Sequence, residues 1–193
     1  ATFLNNMGAK IRGAGTGTIR VTGVNTLQSM NTHTIIADRI ETGTYLSLAA
    51  ALGDGIMIHN VIPEHLESFT SKMIEMGVDL QIDSDKIYVL KGGHLKGIHV
   101  KTLPFPGFAT DLQQPLTPLL SLADGDSTIV DTNYPKRVKH VPELQKMGMN
   151  IEAHDGTIIV KHTDHLHGAN VEAGEIRAGA ALTIAGLMAD GTT

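Results

Sequence analysis

The 193 residues predict an α+β fold built from repeated βαβαββ units, each about 70 residues long. Two recurrences carry that prediction. Met-Gly stands at Met7-Gly8, Met76-Gly77 and Met147-Gly148, and Asp-Gly closes three Leu- and Ala-rich stretches at Gly55, Gly125 and Gly191. The two signals alternate along the chain, so they mark different parts of one repeating unit.

Each Met-Gly is followed by two apolar alternations around a short polar turn: AKIRGAGTGTIRVTG, VDLQIDSDKIYVLKG and MNIEAHDGTIIVKHT. A period of two puts Ile11, Ile19 and Val21 on one face, and likewise Leu80, Ile87 and Val89, then Ile151, Ile158 and Val160. Gly15-Thr16-Gly17, Asp83-Ser84-Asp85 and Asp155-Gly156 supply hairpin turns. Gly13, Gly15 and Gly17 belong to such a turn rather than to a phosphate loop, because no Lys-Ser/Thr ending follows.

ETGTYLSLAAALGDG, DLQQPLTPLLSLADG and RAGAALTIAGLMADG are apolar on most faces, so each reads as a buried helix closed by its final glycine. Pro115 and Pro118 predict an irregular or kinked start for the middle copy. Strands are expected in IMIHNVI and STIVDT after the first two helices, and in IHVKTLPF and ANVEAGEI before the second and third. Amphipathic helices are expected at about Glu64 to Met76 and Pro142 to Met147. The chain thus holds the end of one unit, two full units and the first half of another, and reads as a piece of something longer.

Composition narrows the function classes. Fifteen Lys and Arg against 20 Asp and Glu give a formal charge of −5 without a block of like charge, which argues against a nucleic-acid surface. No apolar run approaches the roughly 20 residues of a membrane helix, and no signal-peptide order opens the chain, so a soluble cytoplasmic protein is expected. The absence of Cys removes disulfides, thiolate metal sites and a Cys nucleophile from this chain. His162, His165 and His167 in KHTDHLH do not share a helical face and read as a polar turn, so no metal site is expected.

Counting back 14 residues from the three closing glycines reaches Glu41, Asp111 and Arg177, which places three charged residues at the start of three buried helices. A helix start carries free N–H groups and partial positive charge, which suits carboxylates and can hold a ligand anion. Simple capping accounts for Glu41, and less readily for Asp111 or Arg177. Arg177 opposes its own helix, as expected of a cation that serves an external anion. If the units pack around a pseudo-threefold axis, the three starts converge. Thr110-Asp111 follows the stiff turn Pro104-Phe105-Pro106-Gly107, where a carboxylate can bind a hydroxyl and take its proton. Arg137 in NYPKRVKHVPEL, flanked by Lys136, Lys139 and His140, reads either as part of a solvated basic loop or as a loop that brings positive charge over an anionic substrate.

LNNMGAKIRGAGTGTIRV, ADRIETGTYLSLAAAL, PGFATDLQQPL, KHVPELQKMG and EIRAGAALTIAGLMADGTT resemble the second half of the UDP-N-acetylglucosamine 1-carboxyvinyltransferases, over essentially the whole chain. LQQP and AGAALTIAGLMADG are most similar to the second isozyme type of Gram-positive bacteria. The resemblance implies the enolpyruvyl transferase fold, an inverse α/β barrel of βαβαββ units in two lobes. Residues 1–36 would end the first lobe and residues 37–193 would form most of the second. It implies transfer of the carboxyvinyl group of phosphoenolpyruvate to the 3-hydroxyl of UDP-N-acetylglucosamine at the opening of peptidoglycan synthesis, and hence a part in cell-wall biogenesis, cell shape and division. No cofactor, nucleic acid or membrane is implied, and the partner is the N-terminal half of the same enzyme.

By the same resemblance, Asp111 corresponds to the aspartate on the sugar hydroxyl, Arg177 to an arginine on the phosphoenolpyruvate carboxylate, and Arg137 to an arginine that reaches the site on closure. Asn133, Thr110, Glu175, Arg39 and Glu41 complete the substrate-contacting set. Glu175 stands where the family usually has Asp, and Pro135-Lys136 replaces the commoner Glu-Asn. The family's reactive loop residue, its Lys-Asn pair and its first-lobe arginines would precede Ala1. A further carboxylate-binding arginine would follow Thr193. Shikimate-pathway enolpyruvyl transferases share fold and reaction. RNA 3′-terminal-phosphate cyclases share the βαβαββ unit but need a nucleotide site with a His nucleophile, helped by a basic surface, and neither their signature nor such a charge is present. A non-catalytic binding lobe is the remaining alternative.

Overall fold

A computed structural model describes residues 1–29, 32–53, 55–90 and 93–193. It divides into two bodies, Ala1–Ile36 and Ala37–Thr193. In the first, α1 (Thr2–Asn6) leads into a hairpin of β1 (Lys10–Arg12) and β2 (Arg20–Thr22), with Ile11 opposite Val21. The Asn5 side chain bonds both the N–H and the carbonyl of Ile11 at 2.8 Å, tying α1 to the hairpin. None of the described residues of this body is buried, and Ile19 and Val21 on its apolar face are 61% and 65% exposed.

The second body opens with α2 (Arg39–Leu52), β3 (Ile56–His59), α3 (Glu67–Met76), β4 (Leu80–Ile82) and β5 (Lys86–Val89). It continues through β6 (His99–Lys101), α4 (Gln113–Leu120), β7 (Ser127–Val130), α5 (His140–Lys146), β8 (Ile151–His154) and β9 (Thr157–Val160), and closes with α6 (Ile176–Met188). β3, β5 and β4 form an antiparallel sheet in that order. β6, β7, β9 and β8 form a second, in which only β6 and β7 run parallel. The run from β6 to β9 is a complete βαβαββ unit with the right crossover for a parallel pair.

Three hydrogen bonds repeat with the unit. Gln28 N–H donates to the Met7 carbonyl at 2.7 Å, Lys96 N–H to Met76 at 2.8 Å and His167 N–H to Met147 at 3.0 Å. Each Met-Gly is therefore the point where the chain leaves a helix and to which it returns after the following hairpin. Just beyond, Asp124 N–H bonds the Leu95 carbonyl and Asp190 N–H bonds that of Leu166, both in parallel bridges.

The long helices differ from the sequence expectation at their ends. α2 closes at Gly53 in the left-handed region (φ 69°), α4 ends at Leu120 and α6 at Met188. Gly55, Gly125 and Gly191 also have positive φ, but each lies beyond the end of its helix, Gly55 and Gly125 in the turns that feed β3 and β7. After α4 and α6 the chain is drawn out of the helix by parallel bridges, Asp124 to Lys96 and Asp190 to His167. The expected strand in ANVEAGEI is absent; residues 169–175 carry no ladder. A 3₁₀ turn over Pro63–His65 takes up the start expected at Glu64, so α3 begins three residues later, and α5 begins at His140.

All eight residues of α4 are buried, including Gln113, Gln114 and Thr117, whereas α2 and α6 each keep an exposed stripe. α2, α4 and α6 pack against one another. Gly43 of α2 permits the closest approach, since a Cβ there would lie 2.6 Å from Leu112. The irregular start expected from the prolines is a 3₁₀ turn, Thr110–Leu112, and Pro118 lies inside the helix, where the Ser121 hydroxyl donates to its carbonyl at 2.7 Å.

A Cβ on Gly97 would collide with the backbone carbonyl of Asp126, which a side-chain rotation cannot relieve. Gly97→Ala should destabilise the chain by roughly 1–3 kcal/mol, the usual penalty of overpacking. Gly17→Ala, with nothing within 4 Å, should stay within about 0.5 kcal/mol of the parent. Urea denaturation of both variants checks the contrast.

Candidate functional site

The mouth of α4 is where charge gathers. Asp111 lies in the 3₁₀ turn that opens this helix, the second residue of its turn, and Arg177 is the second residue of α6. Glu41 is the third residue of α2, whose cap is the Asp38 carboxylate accepting from Ile40 N–H at 2.7 Å. The three charged residues expected at helix starts thus all fall in first turns.

Asp111 stands between two guanidinium groups. Arg137 Nη1 donates to Asp111 Oδ1 at 2.5 Å, and Arg177 Nη2 lies 3.5 Å from Oδ2. Arg137 also donates to the Thr110 hydroxyl at 3.3 Å and lies over the Tyr134 ring, 4.5 Å from its centroid. Its side chain is only 19% exposed, against about a third for Asp111 and Arg177. The stacked, hydrogen-bonded guanidinium is therefore held in one orientation, with its planar fork turned to the site.

Asn133, Tyr134, Pro135, Lys136, Arg137, Lys139 and Glu175 line a cleft of about 480 Å³. The structure accordingly brings Asp111, Thr110, Arg137 and Arg177 into one bonded cluster and puts Asn133 and Glu175 in the adjoining cleft. Glu175 immediately precedes α6, at its N-cap position, and accepts from Gln114 Nε2 at 2.6 Å. Arg39 lies over Phe105 in the proline turn, 5.0 Å from the ring centroid. No hydrogen bond or ion pair among the described residues joins Arg39 or Glu41 to Asp111, and Glu41 is exposed.

Two groups here escaped the sequence reading. Asp131, at the end of β7, is 4% exposed and receives the Thr102 hydroxyl at 2.8 Å, the Thr110 hydroxyl, and the N–H groups of Asn133 and Tyr134 at 2.9 Å each. Burial alone would raise its pKa. The hydrogen bonds from Thr110, Tyr134, Thr102 and Asn133 outweigh that and hold the carboxyl below its ordinary value, so it is ionised. The available signal was Asp-x-Asn-Tyr-Pro after an apolar strand, an Asx-turn pattern. Gln113 and Gln114 are the second: both are fully buried, Gln113 Nε2 donates to the Arg137 carbonyl at 3.0 Å, and the Oε1 atoms of both have no partner within the described residues. Two amides inside an apolar run were the clue.

In KHTDHLH, His162 faces the Ala123 carbonyl, 39 residues away in the chain, and Asp164, and His167 faces the Gly168 carbonyl. Among the described residues no group of three or more His, Asp or Glu could hold a metal, and no helix is long and apolar enough to cross a membrane.

Chemically, a carboxylate between two arginines at the start of a buried helix can take up a proton while the cations hold an anion nearby. The chain belongs to the family described as EPSP synthase (3-phosphoshikimate 1-carboxyvinyltransferase), which it matches over residues 1–193. It is 66% identical over 193 residues to UDP-N-acetylglucosamine 1-carboxyvinyltransferase 2 of Lactiplantibacillus plantarum, and 61% identical over 194 residues to UDP-N-acetylglucosamine 1-carboxyvinyltransferase of Lactobacillus johnsonii. The matches take in all of this chain but 45% and 46% of those relatives, so the chain spans about half their length. Among solved structures, the enolpyruvyl transferase NikO from Streptomyces tendae matches with a TM-score of 0.87 and 25% identity, covering 97% of this chain and 45% of that one. EPSP synthase from Acinetobacter baumannii shares the fold with a TM-score of 0.68.

His140 supplies a pH test of this region. It is fully buried under α4, its Nε2 3.4 Å from the Thr117 hydroxyl, and desolvation lowers its pKa from 6.5 to about 4. The folded chain keeps the ring neutral where the unfolded chain binds a proton. The stability this provides is complete above pH 6.5 and falls as pH drops toward 4, by about 3 kcal/mol in all. Urea midpoints between pH 7 and 5 should fall, and His140→Gln should flatten that dependence.

Proposed function

We infer that this chain is part of an enolpyruvyl transferase that moves the carboxyvinyl group of phosphoenolpyruvate to the 3-hydroxyl of UDP-N-acetylglucosamine and releases phosphate. The observation that carries the reading is Asp111, whose carboxylate sits between Arg137 and Arg177 at the mouth of a buried helix, in a chain so close to enzymes of that name. In this reading residues 1–36 end one lobe, residues 37–193 form most of the second, and the remaining half of the enzyme is the partner. The exposed Ile19 and Val21 support a partner for the first body, because such residues usually find cover in the complete fold. The setting would be peptidoglycan synthesis in the cytoplasm, with its consequences for cell shape and division.

Asp111 would accept the proton of the attacking hydroxyl as its oxygen bonds C2 of phosphoenolpyruvate and the methylene carbon takes up a proton; loss of a proton from the resulting methyl group, with cleavage of the C2–O bond to phosphate, would then restore the double bond and release phosphate. Arg177 would hold the phosphoenolpyruvate carboxylate and Arg137 the developing negative charge, an electrostatic role that depends on a fixed orientation. To serve substrates, both arginines would have to exchange the Asp111 carboxylate for substrate oxygens. Asn133, Thr110, Glu175, Arg39 and Glu41 would contact the sugar nucleotide or frame its cleft. The family description also names 3-phosphoshikimate as acceptor, and that is the second reading. Phosphate release by the full-length enzyme, with each acceptor offered in turn, separates the two.

In that enzyme Asp111→Asn should lower kcat by roughly 10²–10⁴-fold, the range for a lost acid–base group. Arg177→Lys keeps the charge but loses the planar fork, so it should chiefly raise KM for phosphoenolpyruvate and leave that of the sugar nucleotide nearly unchanged. Steady-state kinetics with each substrate varied separately decides; an effect of Arg177→Lys on the sugar nucleotide alone would reverse the assignment. The isolated 193-residue chain should release no phosphate at an enzymatic rate, since chemistry that draws donors from two lobes loses orientation and charge stabilisation together.

A further inference from the structure

We propose that Asp131, which touches neither Asp111 nor either arginine, is a positioning residue for the transfer and acts through Arg137. The role rests on the functional reading above. Its two oxygens face different segments. Oδ1 takes the N–H groups of Asn133 and Tyr134 and the Thr102 hydroxyl, which closes the loop that carries Arg137. Oδ2 takes the Thr110 hydroxyl and lies 3.4 Å from Gln113 Nε2, both at the start of α4. One buried carboxylate thus bolts the Arg137 loop to the segment that carries Asp111.

The bolt reaches Arg137 by two routes. Thr110 donates to Asp131 while its oxygen accepts from Arg137 Nη1, and Gln113 bonds Asp131 with the same Nε2 that holds the Arg137 carbonyl. Guanidinium and backbone of Arg137 are therefore both referenced to Asp131. A turn that only had to stay folded would need Oδ1 alone. The bonds on Oδ2 have no part in the turn and serve the pairing of Arg137 with Asp111. The direct partners of Asp131 are all neutral donors, and its negative charge strengthens each of those bonds.

Asp131→Asn separates these functions, because an amide keeps the Oδ1 acceptor and replaces the Oδ2 acceptor by a donor. In the full-length enzyme with phosphoenolpyruvate and UDP-N-acetylglucosamine, it should lower kcat about 10- to 100-fold, as a slightly misplaced catalytic group does. KM for the sugar nucleotide should move less than about threefold. In an Arg137→Ala background the same substitution should cost no more than about twofold, because the group it positions is gone. If Asp131→Asn does not fold, Thr110→Val, which removes the hydroxyl that joins Asp131 to Arg137, should show the same loss of effect in the Arg137→Ala background. Equal fold-losses in both backgrounds, or an unchanged kcat, would overturn the positioning role while leaving the transferase reading intact. An unsubstituted full-length enzyme inactive with both substrates would overturn the transferase reading and the positioning role with it.

Discussion

A helix buried around its whole circumference has to bring its polar groups to light somewhere, and for α4 that place is its N-terminal mouth. Every residue from Gln113 to Leu120 is inaccessible, so the sides of the helix offer solvent or substrate nothing. The free N–H groups of its first turn, with the partial positive charge they carry, remain. The 3₁₀ turn of Thr110–Leu112 opens there, and Asp111 is held at that opening. The packing of α2 and α6 against α4 thus creates the site as a by-product of building the core.

That origin explains the economy of the cluster. α6 starts beside α4 because the two helices pack, and its start delivers Arg177 to within 3.5 Å of Asp111. The loop after β7 delivers Arg137 from the other side, and Asp131 fixes that loop to the α4 start. Gln114 extends the arrangement to Glu175, whose carboxylate is met by an amide donor at 2.6 Å. Buried polar groups of this kind cost stability when left unpaired. Most are paired here, and the unpaired Oε1 atoms of Gln113 and Gln114 lie at the mouth of α4 itself.

The repeat was legible because its signals are local. Met-Gly and the alternations around Asp83-Ser84-Asp85 or Asp155-Gly156 record a helix end and a hairpin turn, each set by a few consecutive residues. The recurring bond to Met7, Met76 and Met147 is the tertiary counterpart of that pattern. Helix ends were less legible. Gly55, Gly125 and Gly191 all adopt the positive φ that glycine permits, but they lie in turns reached after the helix has already stopped. The strand expected in ANVEAGEI reads well by alternation and still does not form, because a strand needs a partner as well as a pattern.

Of the site, the sequence by itself determined the charged residues at the helix starts: Asp111 and Arg177 could be found by counting from glycine to glycine, since equal offsets in a repeat mean equal places in the fold. It also marked Arg137 as a cation on a loop. What only the tertiary structure decided is who meets whom. Arg137 and Asp111 are 26 residues apart, Gln114 and Glu175 are 61 apart, and Asp131 binds partners on both sides of it in the chain. No local rule links such positions. Their contact is set by helices packing side by side and by a buried carboxylate whose charge has to be met by whatever donors the fold brings within reach.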